Sequence, residues 1–160
     1  MIEKLEQLIS ELGDLNSKLI LLVGPLNGGG KSKTALLRTL GERAKVEPLN
    51  VGIELGRRLS AVPINKRAFS AGELLRELAD QHATGGLLLL DNLELLFEKD
   101  LQVNPLNLLK RLAHAKKVVA VWPGSYMADR LIYADMGHPE HREYVCDGLV
   151  IFETNLHNKK

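Results

Sequence analysis

The chain has 160 residues, the size of one domain that can bury its own core. Hydrophobic residues make up 45% of it and charged residues 26%, a balance typical of globular domains rather than disordered chains. The formal net charge of +1 argues against a global attraction to nucleic acid or an acidic membrane. Net charge therefore does not indicate DNA contact, although a local basic patch leaves it possible. The single cysteine, Cys146, excludes an internal disulfide framework and favours a cytoplasmic location, and no segment predicts a signal peptide or membrane span.

The first third of the chain predicts alternating helices and strands. Apolar residues at helical spacing over residues 2–12 predict an amphipathic N-terminal helix that ends at Gly13. The apolar run "KLILLV" (18–23) predicts a strand buried on both faces. After a glycine-rich loop, "TALLRTLGERA" predicts a second helix, and "NVGIEL" (50–55) predicts a weaker strand.

The same alternation continues to the C-terminus. "SAGELLRELADQHATG" predicts a helix that opens at an N-cap, Ser70, with Glu73 completing a capping box, and that ends at Gly85 and Gly86. "LLLLD" predicts a buried strand, "NPLNLLKRLAHA" a helix from Pro105, and "KVVAVWPG" and "GLVIFE" two more strands. Between the last two strands, the pattern leaves open a short helix, a hairpin or a functional loop.

This order of elements predicts an α/β fold with three layers, α/β/α, around a mainly parallel five-stranded sheet. We expect one domain over residues 1–155 and a frayed C-terminus at 156–160. Ligands of such sheets bind at the carboxyl ends of the strands.

The stretch "GPLNGGGKSKTALL" (24–37) has the composition of a phosphate-binding loop, or P-loop. Glycines let backbone N–H groups turn inward around an anion, a lysine supplies positive charge, and the next hydroxyl binds Mg²⁺. Gly24 and Gly30 enclose five residues, one more than the P-loop pattern allows before its Lys-Ser/Thr pair. The glycine directly before Lys31 favours Lys31-Ser32, whereas the apolar helix face that follows Thr34 favours Lys33-Thr34.

We assign the phosphate to Lys31-Ser32 and keep Lys33-Thr34 as the alternate pair. A glycine-rich turn that binds nothing is the structural alternative. The lengthened loop raises doubt about efficient turnover.

The strand "LLLLD" ends at Asp91, as the strand of a Walker B motif does, where one carboxylate orients Mg²⁺ beside the phosphates. An Asp that merely caps the next turn is the alternative. Many ATPases carry a glutamate directly after this Asp as the base, but here that residue is Asn92. Glu94, two residues further on, is the candidate base if the turn after Asp91 directs its side chain toward the phosphates. The alternative is a solvated helix residue.

Other polar groups give weaker signals. His138, His141 and Cys146 lack the tight spacing of a zinc site, so no metal centre is predicted there. Ser125 is a weak candidate for a polar sensor of the γ-phosphate, and a strand-ending turn explains it better. A basic cluster predicts a solvated face rather than a nucleic-acid patch; its members are Arg57, Arg58, Lys66 and Arg67. Arg130 and Arg142 are candidate arginine fingers acting in trans or, more simply, surface charges.

With these motifs placed, the chain resembles the ASCE division of P-loop NTPases, whose usual strand order is 5-1-4-3-2, without the helical lid domain of AAA+ proteins. Within that division it resembles the BrxF family, the small P-loop ATPases of type III bacteriophage-exclusion (BREX) systems. The resemblance rests on "LLVGP…GKSKTALLRTL", "GLLLLDNLELLF", "KVVAVWPGSY" and "IYADMGHPEHREY".

The resemblance implies an ATP-binding, ATP-hydrolysing component of an anti-phage system that is slow or partner-activated and whose nucleotide state regulates its protein partners. ATP and Mg²⁺ are the implied cofactors. The nucleotide-binding residues are Gly24, Gly28, Gly29, Gly30, Lys31, Ser32, Lys33 and Thr34; those assigned to catalysis are Lys31, Asp91 and Glu94; those assigned to Mg²⁺ are Ser32 and Asp91. The alternatives are a nucleotide-binding adaptor without turnover and a small-molecule kinase of similar fold.

Overall fold

A computed structural model describes residues 2–12, 18–24, 31–133, 142–145 and 149–154, apart from the side chains of Lys31 and Ser32. The helices in these ranges are α1 (Ile2–Glu11), α2 (Lys31–Ala44), α3 (Val51–Leu59), α4 (Arg67–His82) and α5 (Pro105–Leu112). The strands are β1 (Leu19–Val23), β2 (Leu49–Asn50), β3 (Leu87–Asp91), β4 (Lys117–Val121), β5 (Ser125–Met127), β6 (Arg130–Tyr133), β7 (Arg142–Val145) and β8 (Val150–Glu153).

Five strands form one parallel sheet in the order β2-β3-β4-β1-β8. The predicted α/β class and the mainly parallel five-stranded sheet are therefore confirmed. Because parallel neighbours need crossover connections, helices cover both faces of this sheet. The carboxyl ends of β1, β3 and β4 meet at one edge, which also receives the start of α2.

Alternate residues of the central strands enter two separate cores. Leu19, Leu21 and Val23 of β1 face a core shared with α3, α4 and α5. Ile20 and Leu22 face a second core shared with α1 and α2. All five β1 residues are buried, which explains the uninterrupted apolar run in the sequence.

The predicted strand over residues 50–55 is wrong. β2 ends at Asn50, whose side chain accepts a hydrogen bond from the backbone N–H of Ile53 and so caps α3. Val51, Leu55 and Leu59 recur every four residues and are buried on one face of that helix. The helical stripe and the cap outweigh the β-branched character of the short segment.

The predicted ends of the next helix are also wrong. α4 begins at Arg67, three residues before the predicted N-cap Ser70, and Glu73 pairs with Arg76 rather than closing a capping box. The helix ends at His82. Gly85 and Gly86, both with positive φ, form the turn into β3 instead of the helix terminus.

A second sheet of three antiparallel strands, β5-β6-β7, lies beyond β4, and we call it the small sheet. Its first two strands form a hairpin, one of the three predicted alternatives for this segment, with Ala128 and Asp129 at positive φ in the turn. Its inner face packs on Phe97 and Trp122: the Phe97 ring stacks on Tyr133 with centroids 3.9 Å apart, and Trp122 meets Tyr144 edge-on at 5.7 Å. The aromatic rings thus dock the small sheet onto the domain.

No helix within the described ranges has both the length and the apolar composition needed to cross a membrane. The predicted helix end at Gly13 and the predicted frayed terminus at 156–160 lie outside the described residues.

Gly124 makes the closest backbone approach in this region. A Cβ added there would lie 1.8 Å from the carbonyl oxygen of Ile132 in β6. We expect Gly124→Ala to lower the free energy of unfolding by about 1–3 kcal/mol or more, because backbone must move to relieve the clash. Denaturant unfolding measures the change.

Gly56 provides the control for that substitution. It lies in α3, where an added Cβ would meet only a Leu95 methyl group at 3.8 Å, an ordinary contact. Gly56→Ala should raise stability by about 0.5–1 kcal/mol through reduced backbone entropy of the unfolded chain. Equal effects of the two substitutions would show that Gly124 is not constrained by β6.

Candidate functional site

Lys33 lies at the start of α2, and only 4% of its surface is exposed. Its ammonium group donates hydrogen bonds to the carbonyl oxygen of Trp122 at 2.7 Å and to that of Gly124 at 3.3 Å. A buried charge is tolerated only when it is hydrogen-bonded or paired, and these carbonyls at the end of β4 meet that need. The described contacts use two of the three N–H groups of the ammonium.

Burial lowers the pKa of Lys33 below its ordinary value of 10.5, because the charged form loses hydration. The carboxylates of Glu94 and Asp91 act in the opposite direction, since they stabilise the cation. Lys33 is therefore a poorly hydrated ammonium group with carboxylates close by. Such a group attracts an anion more strongly than a hydrated surface lysine does.

Thr34 brings a hydroxyl to the carboxylate of Asp91. Its Oγ1 donates to Asp91 Oδ1 over 3.3 Å, and this contact joins the first turn of α2 to the end of β3. The pair presents hydroxyl and carboxylate oxygens, the hard type of donor that Mg²⁺ prefers. The donor set present at this edge therefore fits Mg²⁺.

Asn92, the residue after Asp91, is held in the left-handed conformation at φ 58° and ψ 61°. Its backbone N–H donates to Asp91 Oδ1 at 2.8 Å, and its side-chain Nδ2 donates to Asn50 Oδ1 at 2.9 Å. The backbone and the side-chain amide of Asn92 are thus both engaged in contacts within the fold.

Glu94 lies in a 3₁₀ turn, Leu93–Phe97, whose buried residues Leu93, Leu96 and Phe97 anchor it to the core. Its own side chain is exposed, and it is close enough to Lys33 to stabilise the ammonium charge. The turn therefore holds an exposed carboxylate within electrostatic range of Lys33.

The remaining residues of the predicted phosphate loop divide into two groups. Gly24 lies beside the site, where an added Cβ would meet Thr154 Oγ1 at 3.3 Å and Lys33 Cδ at 3.7 Å. Three glycines of the predicted loop lie outside the described residues: Gly28, Gly29 and Gly30. The side chains of Lys31 and Ser32 are likewise outside the description, so their assignment to phosphate and Mg²⁺ stays a prediction. The contacts described here belong to the alternate pair, Lys33-Thr34.

The other candidates lie on the small sheet or outside the described residues. Ser125 is buried at the start of β5, directly after Gly124, whose carbonyl accepts from Lys33. Arg130 is exposed on β6, and Arg142 is half-buried on β7. His138, His141 and Cys146 lie outside the described residues.

Contacts within the fold occupy much of the basic cluster. Arg57 pairs with Glu54, and Arg67 donates to the carbonyl of Val62. Arg58 contacts Gln81 and Glu77 on α4. These three arginines therefore make contacts within their own fold.

Sequence reasoning missed two parts of the site. One is the pair of carbonyl acceptors at Trp122 and Gly124, which side-chain patterns do not reveal. The other is Asn50, although an Asn directly before a buried stripe at helical spacing is a detectable N-cap signal.

A groove of about 690 Å³ adjoins the Thr34–Asp91 contact. It runs along α2 past Arg38 and Lys45 and reaches Asn50 at the end of β2. The site is therefore open to solvent on the side of the short edge strand.

Comparison of the sequence with models of protein families and with curated proteins gave no significant match.

The lowered pKa of Lys33 makes a pH-dependent stability prediction. Between its folded pKa and its ordinary value of 10.5, the unfolded chain binds more protons at this lysine than the folded chain does. The contribution of Lys33 to stability therefore rises with pH and levels off above about 10.5. We therefore expect the free energy of unfolding of the wild type to increase relative to that of Lys33→Met as the pH rises toward about 10.5.

Chemical denaturation at several pH values measures this difference. The same substitution at the exposed Lys66 controls for the loss of one charge. A difference at Lys33 that does not vary with pH would contradict the burial effect.

Proposed function

We propose that this protein binds ATP with Mg²⁺ at the carboxyl edge of its sheet and hydrolyses it slowly or on partner activation. The observation that carries the proposal is the Thr34–Asp91 hydrogen bond beside the buried Lys33 ammonium. A lysine and a hydroxyl at a helix start, facing an aspartate at the end of a buried strand, are the side chains that P-loop proteins use for a triphosphate.

The connectivity of the main sheet supports this proposal. Read from the opposite edge, the order is β8-β1-β4-β3-β2. With the five parallel strands numbered along the chain, this is the 5-1-4-3-2 order expected of the ASCE division. β4 therefore lies between β1, which precedes the glycine loop, and β3, which ends at Asp91.

Each residue of the site has a chemical role in this proposal. Lys33 would place its ammonium charge against the phosphates, and the following helix would direct its N-terminal N–H groups at the same anion. Thr34 and Asp91 would hold Mg²⁺ through their oxygens. When bound, Mg²⁺ neutralises charge on the β- and γ-phosphates.

The residues available for proton transfer suggest slow turnover. Asn92 is an amide with little basicity and is hydrogen-bonded to Asn50. Glu94 is the carboxylate that the site presents near Lys33, and we propose it as the general base that accepts a proton from water. Its exposed position suggests that a partner must complete the site.

We further propose that the nucleotide state regulates protein partners, in keeping with the resemblance to the BREX component BrxF. Lys33 is hydrogen-bonded to the carbonyls of Trp122 and Gly124, which connect β4 to the small sheet. A phosphate that accepted a hydrogen bond from the Lys33 ammonium group would alter its hydrogen bonds to these two carbonyls. The small sheet is thus the part of the fold best placed to respond to nucleotide.

A nucleotide-binding adaptor without turnover is the second candidate. The hydrogen bond from Asn92 to Asn50 favours this candidate. Asn92 occupies the position at which many ATPases carry the general base, and here its side chain is engaged in the fold.

Calorimetry of ATP binding to Lys33→Ala and Lys31→Ala tests the nucleotide site. Because Lys33 is the buried cation of the site, its loss should weaken binding roughly 10- to 100-fold, as expected for a charge-assisted contact. Lys66→Ala is the control for a lost surface charge and should bind like the wild type. A larger loss in Lys31→Ala would assign the phosphate to Lys31, and unimpaired binding in both variants would remove the P-loop assignment.

Steady-state ATP hydrolysis by Glu94→Gln tests the proposed base. Since general-base catalysis contributes about 10²–10⁴-fold, we expect turnover to fall by roughly that factor while ATP binding is retained. Glu98→Gln, another exposed glutamate of the same segment, is the matched control and should keep wild-type turnover. Rapid hydrolysis that survives in Glu94→Gln would contradict the assignment, and ATP binding without any turnover in the wild type would favour the adaptor.

A further inference from the structure

The side-chain oxygen of Asn50 accepts two hydrogen bonds at the junction of β2 and α3. One comes from the backbone N–H of Ile53 at 3.0 Å and caps the helix. The other comes from Nδ2 of Asn92 at 2.9 Å, a residue that follows the adjacent strand β3. Asn50 therefore ties the end of β2 to the residue directly after Asp91.

Three further features fix Asn92 in this position. Its left-handed backbone suits asparagine better than most residues. Its carbonyl oxygen accepts from the N–H of Gly52 at 3.0 Å. A Cβ on Gly52 would lie 2.5 Å from Asn92 Nδ2, so glycine is what lets α3 approach this closely.

The result of this arrangement is a fixed direction for the Asp91 carboxylate. Its Oδ1 accepts from the N–H of Asn92 at 2.8 Å and from the hydroxyl of Thr34 at 3.3 Å. Two donors from different elements hold the carboxylate against rotation about its side-chain bonds. The N–H of Asn92 keeps its direction because the asparagine side chain is anchored on Asn50.

We infer that Asn50 and Asn92, the asparagine pair, are positioning residues that fix the Asp91 carboxylate for Mg²⁺. The inference rests on the proposed function. Mg²⁺ demands near-ideal octahedral geometry, so a carboxylate that rotates freely is a weaker ligand than a fixed one. Outer partners that orient a metal ligand typically change metal affinity 10- to 100-fold.

This role also explains an amide at the position after Asp91. A glutamate at residue 92 would bring an acceptor, instead of the Nδ2 donor, toward Asn50 Oδ1. Asn50 cannot turn its own amide to compensate without losing the cap on Ile53. The asparagine pair thus replaces a potential base with a support for the aspartate.

Calorimetric measurement of ATP affinity, with Mg²⁺ and with EDTA, tests the asparagine pair. The ratio of the two affinities reports how well the protein holds Mg²⁺, independently of turnover. In Asn50→Ser the hydroxyl still caps Ile53 but is too short to reach Asn92. We expect the Mg²⁺-dependent gain in affinity to fall roughly 10-fold, with affinity in EDTA unchanged.

Asn104→Ser is the matched control. Asn104 caps α5 through the same contact, with its side-chain oxygen accepting from the N–H of Asn107 at 3.1 Å. The two substitutions alter equivalent caps, so a comparable change in melting temperature is expected. Only Asn50→Ser should change the effect of Mg²⁺.

Two isosteric variants separate positioning from general damage to the fold. Asn50→Asp keeps an oxygen for both donors and should retain the Mg²⁺-dependent gain. Asn92→Asp replaces the donor that faces Asn50 Oδ1 with an acceptor and should lose it. Both substitutions preserve the shape of the side chain and add one negative charge. A difference between the two variants in the Mg²⁺-dependent gain therefore reflects the hydrogen bond.

The outcomes distinguish this inference from the proposed function. Absence of ATP binding by the wild type, with or without Mg²⁺, would overturn the proposed function and the inference together. ATP binding by the wild type with equal Mg²⁺ effects in Asn50→Ser and Asn104→Ser, or in Asn50→Asp and Asn92→Asp, would overturn the inference alone.

Discussion

The burial of the Lys33 ammonium group is the constraint on which the candidate site depends. A charge removed from water requires hydrogen-bond acceptors, and here they are carbonyl oxygens of Trp122 and Gly124. Those carbonyls lie in the bend between β4 and β5. Gly124 must lack a Cβ because β6 passes close to the backbone there. The position of one lysine is therefore linked to the path of the chain into the small sheet.

Trp122 connects Lys33 to β6 and to the 3₁₀ turn Leu93–Phe97. Its carbonyl accepts from Lys33, while its ring N–H donates to the carbonyl of Ile132 at 3.1 Å. The ring also packs edge-on against Phe97, which belongs to the same 3₁₀ turn as Glu94. A buried phenol oxygen of Tyr144 lacks a hydrogen-bond partner among the described residues, so aromatic packing outweighs the loss of one polar contact there. The 3₁₀ turn that carries the exposed Glu94 and the small sheet are thus both packed against Trp122, whose carbonyl accepts from Lys33.

Sequence patterns were most reliable where one physical effect acted alone. The runs "LILLV" and "LLLLD" are buried on both faces, so uninterrupted hydrophobicity identified β1 and β3 and placed Asp91 at the carboxyl edge. Residues 50–55 were misassigned because β-branched character and an N-cap compete in a short segment, and the cap at Asn50 prevails through tertiary contacts with Asn92. Each of the two adjacent lysine-hydroxyl pairs fits part of the P-loop pattern, so local sequence left the choice between them open.

Two departures from a typical P-loop sequence bear on the rate of ATP hydrolysis in the proposed function. The glycine loop is one residue longer than the pattern when Lys31 is its lysine, and in the proposed function Lys33 would meet the phosphates at the helix start, where it already donates to a carbonyl oxygen. An asparagine after Asp91 strengthens the support of that carboxylate and removes a base. In the proposed function, the missing base would slow cleavage of a bound nucleotide. Under the proposed function, the bound nucleotide would act mainly as a structural element, and its binding would change the contacts of the small sheet. Hydrolysis would be the slower event that ends the bound state.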